Sequence, residues 1–352
     1  MSAIRVKQLS KTFAYYQKQS GLKHSLRNLF HREQLYRHAV SSISFDIEQG
    51  EAVGFIGPNG AGKTTTLKML SGILHPTAGE ARVLGYVPWE RQQAFKRRFA
   101  IVMGQKSQLW WDLPANESIY LNKCIYGVDD REYRLTLDEL AELLDVKHLL
   151  GVQVRRLSLG ERMKMEMIAA LIHRPQLLFL DEPTLGLDFA AQHNVRQFLK
   201  AYREEKKATI LLTSHYMRDI EHVCSRALVI HSGAIAYDGE LSRMSGSFGR
   251  RKRMKVRFTS FVPPEQLHEL VSLLAEVREH QGMSAELEVA SEEVKPLARL
   301  LLDHDLVEDW TVEEVPVEEI IERLYTAKCA EREGEEKDGE TAGTEARHAS
   351  EG

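Results

Sequence analysis

Gly57-Pro58-Asn59-Gly60-Ala61-Gly62-Lys63-Thr64 is the stretch whose reading decides the fold. It satisfies the pattern G-x-x-x-x-G-K-[ST] without a gap, and each fixed position has a physical reason. A polyphosphate needs many aligned donors close to its oxygens. Glycines let the backbone approach and turn without a Cβ clash, so successive N–H groups form a concave nest that the next helix completes. Lys63 supplies a point charge for the β- and γ-phosphates, Thr64 a hydroxyl able to ligate Mg²⁺, and Thr65 continues into the helix. Residues 52–56 (AVGFI) before the loop suit a buried strand, and 65–70 (TTLKML) after it read as an opening helix. Strand, loop and helix together predict binding of a nucleoside triphosphate.

The rest of the chain sets bounds on that reading. At 352 residues it holds one large or two ordinary domains. With 43% hydrophobic and 28% charged residues it has the composition of a soluble globular protein. A formal net charge of −4 gives no global attraction to nucleic acid, and no nucleic-acid partner is expected. Three cysteines (Cys124, Cys224, Cys329) without a C-x-x-C pairing imply a reduced, cytosolic protein with neither a disulfide framework nor a zinc site. There is no N-terminal apolar h-region, and no apolar run of about 18 to 20 residues that could span a bilayer. If the protein works at a membrane, another chain must provide the passage.

Two strands are expected at 4–13 and 40–47, separated by a basic insertion over 14–38. Strands and helices then alternate to about Tyr237, the pattern of an α/β domain with a mostly parallel sheet. A mostly helical stretch from 110 to 151 carries Leu135, Leu137, Leu140, Leu143 and Leu144 at helical spacing; the helical subdomain is expected over about 106–165. The first domain is thus placed at 1–244 and a Gly/Ser/Arg-rich linker at 245–253. Over 254–328 the pattern reads strand, helix (264–277), strand (285–289), helix (292–303), then a last strand and helix to about Tyr325. That is a small α+β domain, possible in a ferredoxin-like arrangement. The tail, 329–352, is acidic, lacks large apolar residues from 330 on, and is expected to be disordered.

Leu177-Leu178-Phe179-Leu180-Asp181-Glu182 supplies a second half of a catalytic site. Four apolar residues make a buried strand, and the carboxylates stand at its C-terminal end, where open α/β sheets bind ligands. Asp181 is placed to hold Mg²⁺, and Glu182 to act as the general base toward an attacking water. Leu157-Ser158-Leu159-Gly160-Glu161 precedes a helix over 162–172, presenting a hydroxyl, N–H groups and a helix N-terminus to a second phosphate position. Read alone, Ser158 and Glu161 also make a capping box.

In this order the motifs closely resemble the ATP-binding-cassette (ABC) superfamily over about residues 3–240. Residues 57–65 look like Walker A, 177–182 like Walker B and 157–161 like the LSGGQ signature, with Leu159 and Glu161 departing from its glycine and glutamine. Gln105 matches the Q-loop glutamine, 185–188 (LGLD) the D-loop and His215 the switch histidine. The resemblance implies a P-loop ABC cassette with antiparallel β and helical subdomains. Its expected ligands are ATP and Mg²⁺, the metal being held by Thr64, Asp181 and Gln105. Glu182, His215 and Gln105 would carry catalysis, Asp188 would couple two sites, and Ser158 with Gly160 would clamp the γ-phosphate of an opposite subunit. An aromatic residue stacks on adenine in this family; Phe13 is the first choice, with Tyr15 and Tyr16 next.

Within the insertion, Leu22, Leu26, Leu29 and Phe30, flanked by Lys18, Lys23, Arg27, Arg32 and Arg37, describe a short basic amphipathic helix. It could lie on an anionic membrane surface or permease, or pack on its own domain. A similar insertion occurs in ABC-2-type exporter ATPases, including those for polysaccharides and teichoic acids. Residues 83–89 and 105–114 look more like the viologen-exporter-like ATPases of the same class. The expectation is an ATPase subunit of a bacterial ABC-2-type exporter at the cytoplasmic membrane face. Its partners would be a membrane permease and a second ATPase subunit, identical or related. The rivals are a soluble ABC ATPase acting on nucleic acid or ribosomes and a non-hydrolytic switch; intact Glu182 and His215 oppose the latter.

Overall fold

A computed structural model gives the structure of residues 2–16, 34–214, 216–243, 251–302, 304–315 and 319. The chain divides into two units, Met1–Gly239 and Glu240–Gly352.

In the first unit, β1 (Ser2–Tyr16), β2 (Gln34–Glu48) and β4 (Ala78–Val83) form an antiparallel sheet in the order β2-β1-β4. The second sheet contains β3 (Ala52–Ile56), β5 (Phe99–Met103), β6 (Leu177–Asp181), β7 (Thr209–Thr213), β8 (Arg226–His231) and β9 (Ala234–Glu240). Their order is β5-β6-β7-β3-β8-β9. Pairing from β5 through β8 is parallel. β3, β6 and β7 are buried at every position, which is why they read as unbroken apolar runs rather than alternating ones. A two-residue turn, Ser232-Gly233, with φ of 48° and 82°, joins β8 to β9. Helices α1 (Lys63–Leu70), α2 (Ala115–Tyr126), α3 (Asp130–Leu143), α4 (Leu159–Leu171), α5 (Phe189–Lys206) and α6 (Met217–Val223) complete this unit. Phe45–Phe55, Phe95–Phe99 and Phe99–Phe179 ring contacts run through its core.

Sheet register gathers the functional segments. Met103 pairs with Asp181, Asp181 with Thr213, and Thr213 with Phe55. The parallel strands β5, β6, β7 and β3 therefore end on one line. Gln105, Glu182, Ser214 and Gly57 each follow within one or two residues of that line.

The basic insertion differs from its expected bounds. β1 and β2 continue as a hairpin to the pair Tyr16–Gln34, so 14–16 and 34–38 are strand. Ala14 faces Tyr36 and Tyr15 faces Leu35, cross-strand aromatic and aliphatic pairs that favour strand over helix. Arg37, expected beside the helix, instead pairs with Phe13. Leu22, Leu26, Leu29 and Phe30 lie outside the described residues. The leucines of 135–144 do not form one buried stripe: Leu140 and Leu144 are buried, whereas Leu135 and Leu143 are exposed.

The second unit has strands β10 (Arg251–Phe258), β11 (Ala275–His280), β12 (Ser284–Ala290) and β13 (Val307–Glu314). Helices α7 (Pro264–Val271) and α8 (Val294–Leu302) complete it. Its antiparallel sheet has the order β11-β12-β10-β13 and is traced β-α-β-β-α-β. Met254, Val256, Phe258, Leu287, Val289, Leu267, Val271, Leu297 and Leu301 form its own core. Two boundaries move relative to the sequence pattern. Residues 251–253 belong to β10 rather than to a linker. The first helix stops at Val271, and 275–280 become an edge strand because they alternate and pair with β12. The last expected helix, to Tyr325, and the acidic tail lie outside the described residues, as do 244–250.

Candidate active site

The line of strand ends opens into a cavity of about 430 Å³, a volume within the usual range for small-molecule sites. The loop after β3 forms one wall. Gly62 adopts φ +112°, and a Cβ there would stand 2.5 Å from the Ala39 carbonyl oxygen, so only glycine fits. The loop curls around its own lysine: Lys63 Nζ donates to the Gly57 carbonyl at 2.6 Å and to that of Pro58 at 3.2 Å. Ala61 is buried and closes the turn by donating to the Pro58 carbonyl. Asn59, Gly60, Gly62, Lys63, Thr64 and Thr65 all face the cavity.

The carboxylates face them. Thr64 Oγ1 donates to Asp181 at 2.8 Å, and Thr213 Oγ1 donates to Asp181 Oδ1 at the same distance. Glu182 lines the cavity with Oε1 3.9 Å from Lys63 Nζ. Burial pushes the Lys63 ammonium below the usual lysine range, against the opposing pull of Glu182 and Asp181. Glu182 takes φ 54°, a left-handed conformation uncommon for a non-glycine residue. Its N–H is fixed by the Thr213 carbonyl and hydroxyl oxygens, both at 3.1 Å. Strained backbone of this kind persists only where neighbours over-determine it.

These groups suit a magnesium nucleotide. Hydroxyl and carboxylate oxygens are the donors a hard divalent cation takes. The glycine cradle leaves backbone N–H groups where phosphate oxygens need donors. Gln105 and Phe13 also line the cavity. Phe13 is 39% exposed with Lys11 Nζ 5.3 Å from its ring centroid. Tyr15 does not line it, and the Tyr16 side chain lies outside the described residues. His215 lies outside the described residues.

Gly57, Pro58, Ala61 and Asp181 stand behind the lining residues, in the loop and strand that carry them, whereas Ser158, Gly160 and Asp188 belong to the starts of two helices. Ser158 caps α4, accepting from Glu161 N–H at 3.3 Å, while Glu161 Oε2 accepts from Ser158 N–H at 2.8 Å. Hydrogen bonding from Ser158, its backbone N–H first and then its side chain, holds the Glu161 carboxyl below the usual range. Asp188 caps α5 by accepting from Ala191 N–H at 2.8 Å. A Cβ on Gly160 would come within 2.8 Å of Ala191 Cβ, so glycine here lets the two capped helix starts pack together. Two adjacent helix N-termini make a positive field suited to an anion. The cavity and this paired terminus are separate features of one chain.

Sequence reading missed Thr213, which binds both Asp181 and Glu182; its only signal was its place at the end of a buried strand. It also missed Arg37 at the cavity, because the hairpin pairing that delivers it is long-range.

Comparison with known proteins agrees with this geometry. Residues 40–185 match the ABC transporter family, and 250–313 match the EvrA-like ABC transporter C-terminal domain. The chain is 34% identical over 206 residues to the ABC transporter ATP-binding protein NatA of Bacillus subtilis, covering 58% of this chain and 83% of that protein. It is 36% identical over 200 residues to the Nod factor export ATP-binding protein I of Burkholderia thailandensis, covering 57% and 65%. Longer relatives are matched over only 20% and 18% of their own length. A solved ATP-binding subunit of an ABC transporter superposes with a TM-score of 0.57 at 27% identity, covering 70% of this chain and 93% of that one. The chain belongs to the ABC transporter family, as an ATPase chain that binds ATP with Mg²⁺ and carries an EvrA-like C-terminal domain.

Proposed function

We propose that this chain powers a bacterial ABC-2-type exporter from the cytoplasmic face of the membrane, pairing with a second ATPase subunit and with a separate permease. The observation that carries the hydrolytic part is the line of strand ends that sets Glu182 beside Lys63 and Asp181 beside Thr64. Lys63 holds the β- and γ-phosphates, and Thr64, Asp181 and Gln105 hold the metal. Mg²⁺, when bound, neutralises charge on the phosphate oxygens. Glu182 takes the proton of the attacking water, His215 orients the γ-phosphate, and Phe13 stacks on the base.

Ser158 and Gly160 lie outside this chain's own cavity, which supports a head-to-tail pair in which each chain completes the other's site. Closure follows because the γ-phosphate gains these contacts only in the closed pair. Asp188 sits beside the same helix start and would link the two sites. Two features support the exporter and permease part. One is the similarity to a Nod factor export protein. The other is the set of exposed apolar side chains Trp110, Trp111, Leu113, Tyr120, Leu121 and Ile125 just after Gln105, a density of exposed apolar surface that suits a protein contact.

Co-purification from gently solubilised membranes tests the partner, and a multispanning chain is expected. Ribosomal or DNA-bound partners without any membrane chain would overturn the transport reading. For the base, Glu182→Gln should abolish steady-state hydrolysis while preserving an ATP-dependent dimer; unchanged turnover would remove Glu182 from that role.

A further inference from the structure

Gln105 sits at the apex of a turn with two anchors. On the sheet side, Gly104 N–H donates to the Asp181 carbonyl at 2.8 Å, and Lys106 N–H closes back onto the Met103 carbonyl at 2.9 Å. On the helical side the loop is held by a single carboxylate, Glu166 of α4. Ser107 Oγ donates to Glu166 Oε1 at 2.5 Å, and Gln108 N–H donates to its two oxygens at 2.9 and 3.0 Å. Leu109 N–H approaches at 3.4 Å. Glu166 is 3% exposed, and among the described residues no ion pair engages it.

A buried carboxylate without an ion pair must take most of its stabilisation from hydrogen bonds, and Arg162 adds only a weaker pull from farther off. Here those hydrogen bonds come from three consecutive loop residues, 107–109. The dependence is mutual: the loop satisfies Glu166, and Glu166 fixes the loop. Glu166 lies eight residues after Ser158, more than two turns along the same helix. The carboxylate therefore ties the segment carrying Gln105 to the helix whose start carries Ser158 and Gly160.

We propose that Glu166 is a positioning residue for hydrolysis, fixing the Gln105 turn to α4 so that Gln105 and the signature helix take up their catalytic places together. This rests on the reading of Gln105 as a contact to the metal and water. Glu166 touches neither nucleotide nor metal; it acts through the loop.

The test measures steady-state Mg-ATP hydrolysis by the full chain carrying Glu166→Gln, Gln105→Ala, both together, or Ser107→Ala. Glutamine keeps the size of Glu166 but turns one acceptor into a donor facing the Gln108 N–H. Expected for Glu166→Gln is a fall in kcat of about tenfold, KM for ATP within about twofold, and a higher Mg²⁺ concentration for half-maximal rate. The double variant should be no more than about twofold slower than Gln105→Ala, since residues acting in series are not additive. Ser107→Ala, which leaves the core carboxylate in place, should lower kcat in the same sense by about threefold. It decides the matter if Glu166→Gln does not fold. Wild-type kcat and Mg²⁺ dependence in folded Glu166→Gln, or in Ser107→Ala where Glu166→Gln fails to fold, would overturn the proposal, as would fully additive losses in the double variant. Wild-type kcat in Gln105→Ala would overturn both this inference and the reading of Gln105 on which it rests.

Discussion

Gly104→Ala should separate binding from hydrolysis. The added Cβ would stand 2.1 Å from the Glu182 carbonyl oxygen and 3.0 Å from its carbonyl carbon, where ordinary contact begins at 3.4 Å. The shortfall is about 1.3 Å, and neither contact is a flexible side chain that could swing away. Glu182 is the less yielding partner, because its N–H is held by two Thr213 oxygens and β6 is buried throughout. The turn carrying Gln105 must therefore move by about 1 Å, a displacement that can cost on the order of 10²-fold in rate. Overpacking adds a stability loss of about 1–3 kcal/mol. The loop over 57–64 follows a different strand, so KM for ATP and nucleotide affinity should stay within about twofold. The assay is steady-state hydrolysis alongside titration with a fluorescent ATP analogue, well below the melting transition. A kcat within about threefold of wild type would refute the reasoning, since it would mean that the strand-end line tolerates such displacement.

Two further predictions concern stability. His173 stacks on Tyr126 at 3.8 Å and 4°, its Nε2 lies 3.1 Å from the Phe99 carbonyl oxygen, and its Nδ1 is buried without a partner. Burial pulls its pKa from 6.5 to about 4, so between those values the unfolded chain takes up a proton that the folded chain refuses. The imidazole therefore makes no pH-dependent contribution above pH 6.5. Below it, stability falls with pH, by about 3 kcal/mol on reaching pH 4. His173→Phe should lose that part of the acid sensitivity in urea unfolding at pH 7 and 4.5; identical pH slopes in the two proteins would sink the assignment. Asp219, 1% exposed, accepts from Arg196 at 2.9 Å, from Ser214 at 2.8 Å and from Thr184. Asp219→Asn should cost about 3 kcal/mol by leaving Arg196 as a buried uncompensated charge, and a loss below about 1 kcal/mol in urea unfolding at pH 7 would contradict this.

What the sequence made legible follows the range of the interactions. The phosphate loop, the buried strands β3 and β6 and the cap at Ser158 are specified by residues within a few positions of one another. Their spacing alone was enough. The extension of β1 and β2 was hidden because Phe13 meets Arg37 only through hairpin pairing across 24 residues, and apolar residues at helical spacing with basic ones around them pointed elsewhere. The strand Ala275–His280 was hidden for the same reason: its partner β12 decides it. Thr213 and Glu166 were invisible as site residues because each acts by hydrogen bonds to segments 31 to 59 positions away. Signature residues Ser158 and Gly160 present the reverse case. Their motif was plain, yet within one chain the structure accounts for them by capping and by helix packing, and a phosphate enters only through the proposed second chain.

The groups proposed to bind phosphate and metal are partnered within the chain. Lys63 donates to two carbonyls of its own loop, and Thr64 donates to Asp181, which Thr213 also holds. Binding therefore exchanges hydrogen bonds rather than adding them, and the net gain must come from charge. Lys63 is the group with most to gain: its ammonium is disfavoured by burial and faces neutral carbonyls at close range, with Glu182 only at 3.9 Å. A polyphosphate replaces those carbonyls with anionic oxygens, and charge-assisted bonds are the stronger kind. Under the proposed reading, Thr64 and Asp181 would hold the metal, and Thr64 would give up its bond to Asp181 to do so, while Thr213 keeps that carboxylate aimed. The amine that leaves the loop and the hydroxyl that leaves the carboxylate are adjacent residues on the first turn of α1. On the proposed roles, phosphate and metal recognition would thus be one local rearrangement, and an ATP analogue without Mg²⁺ would engage only half of it.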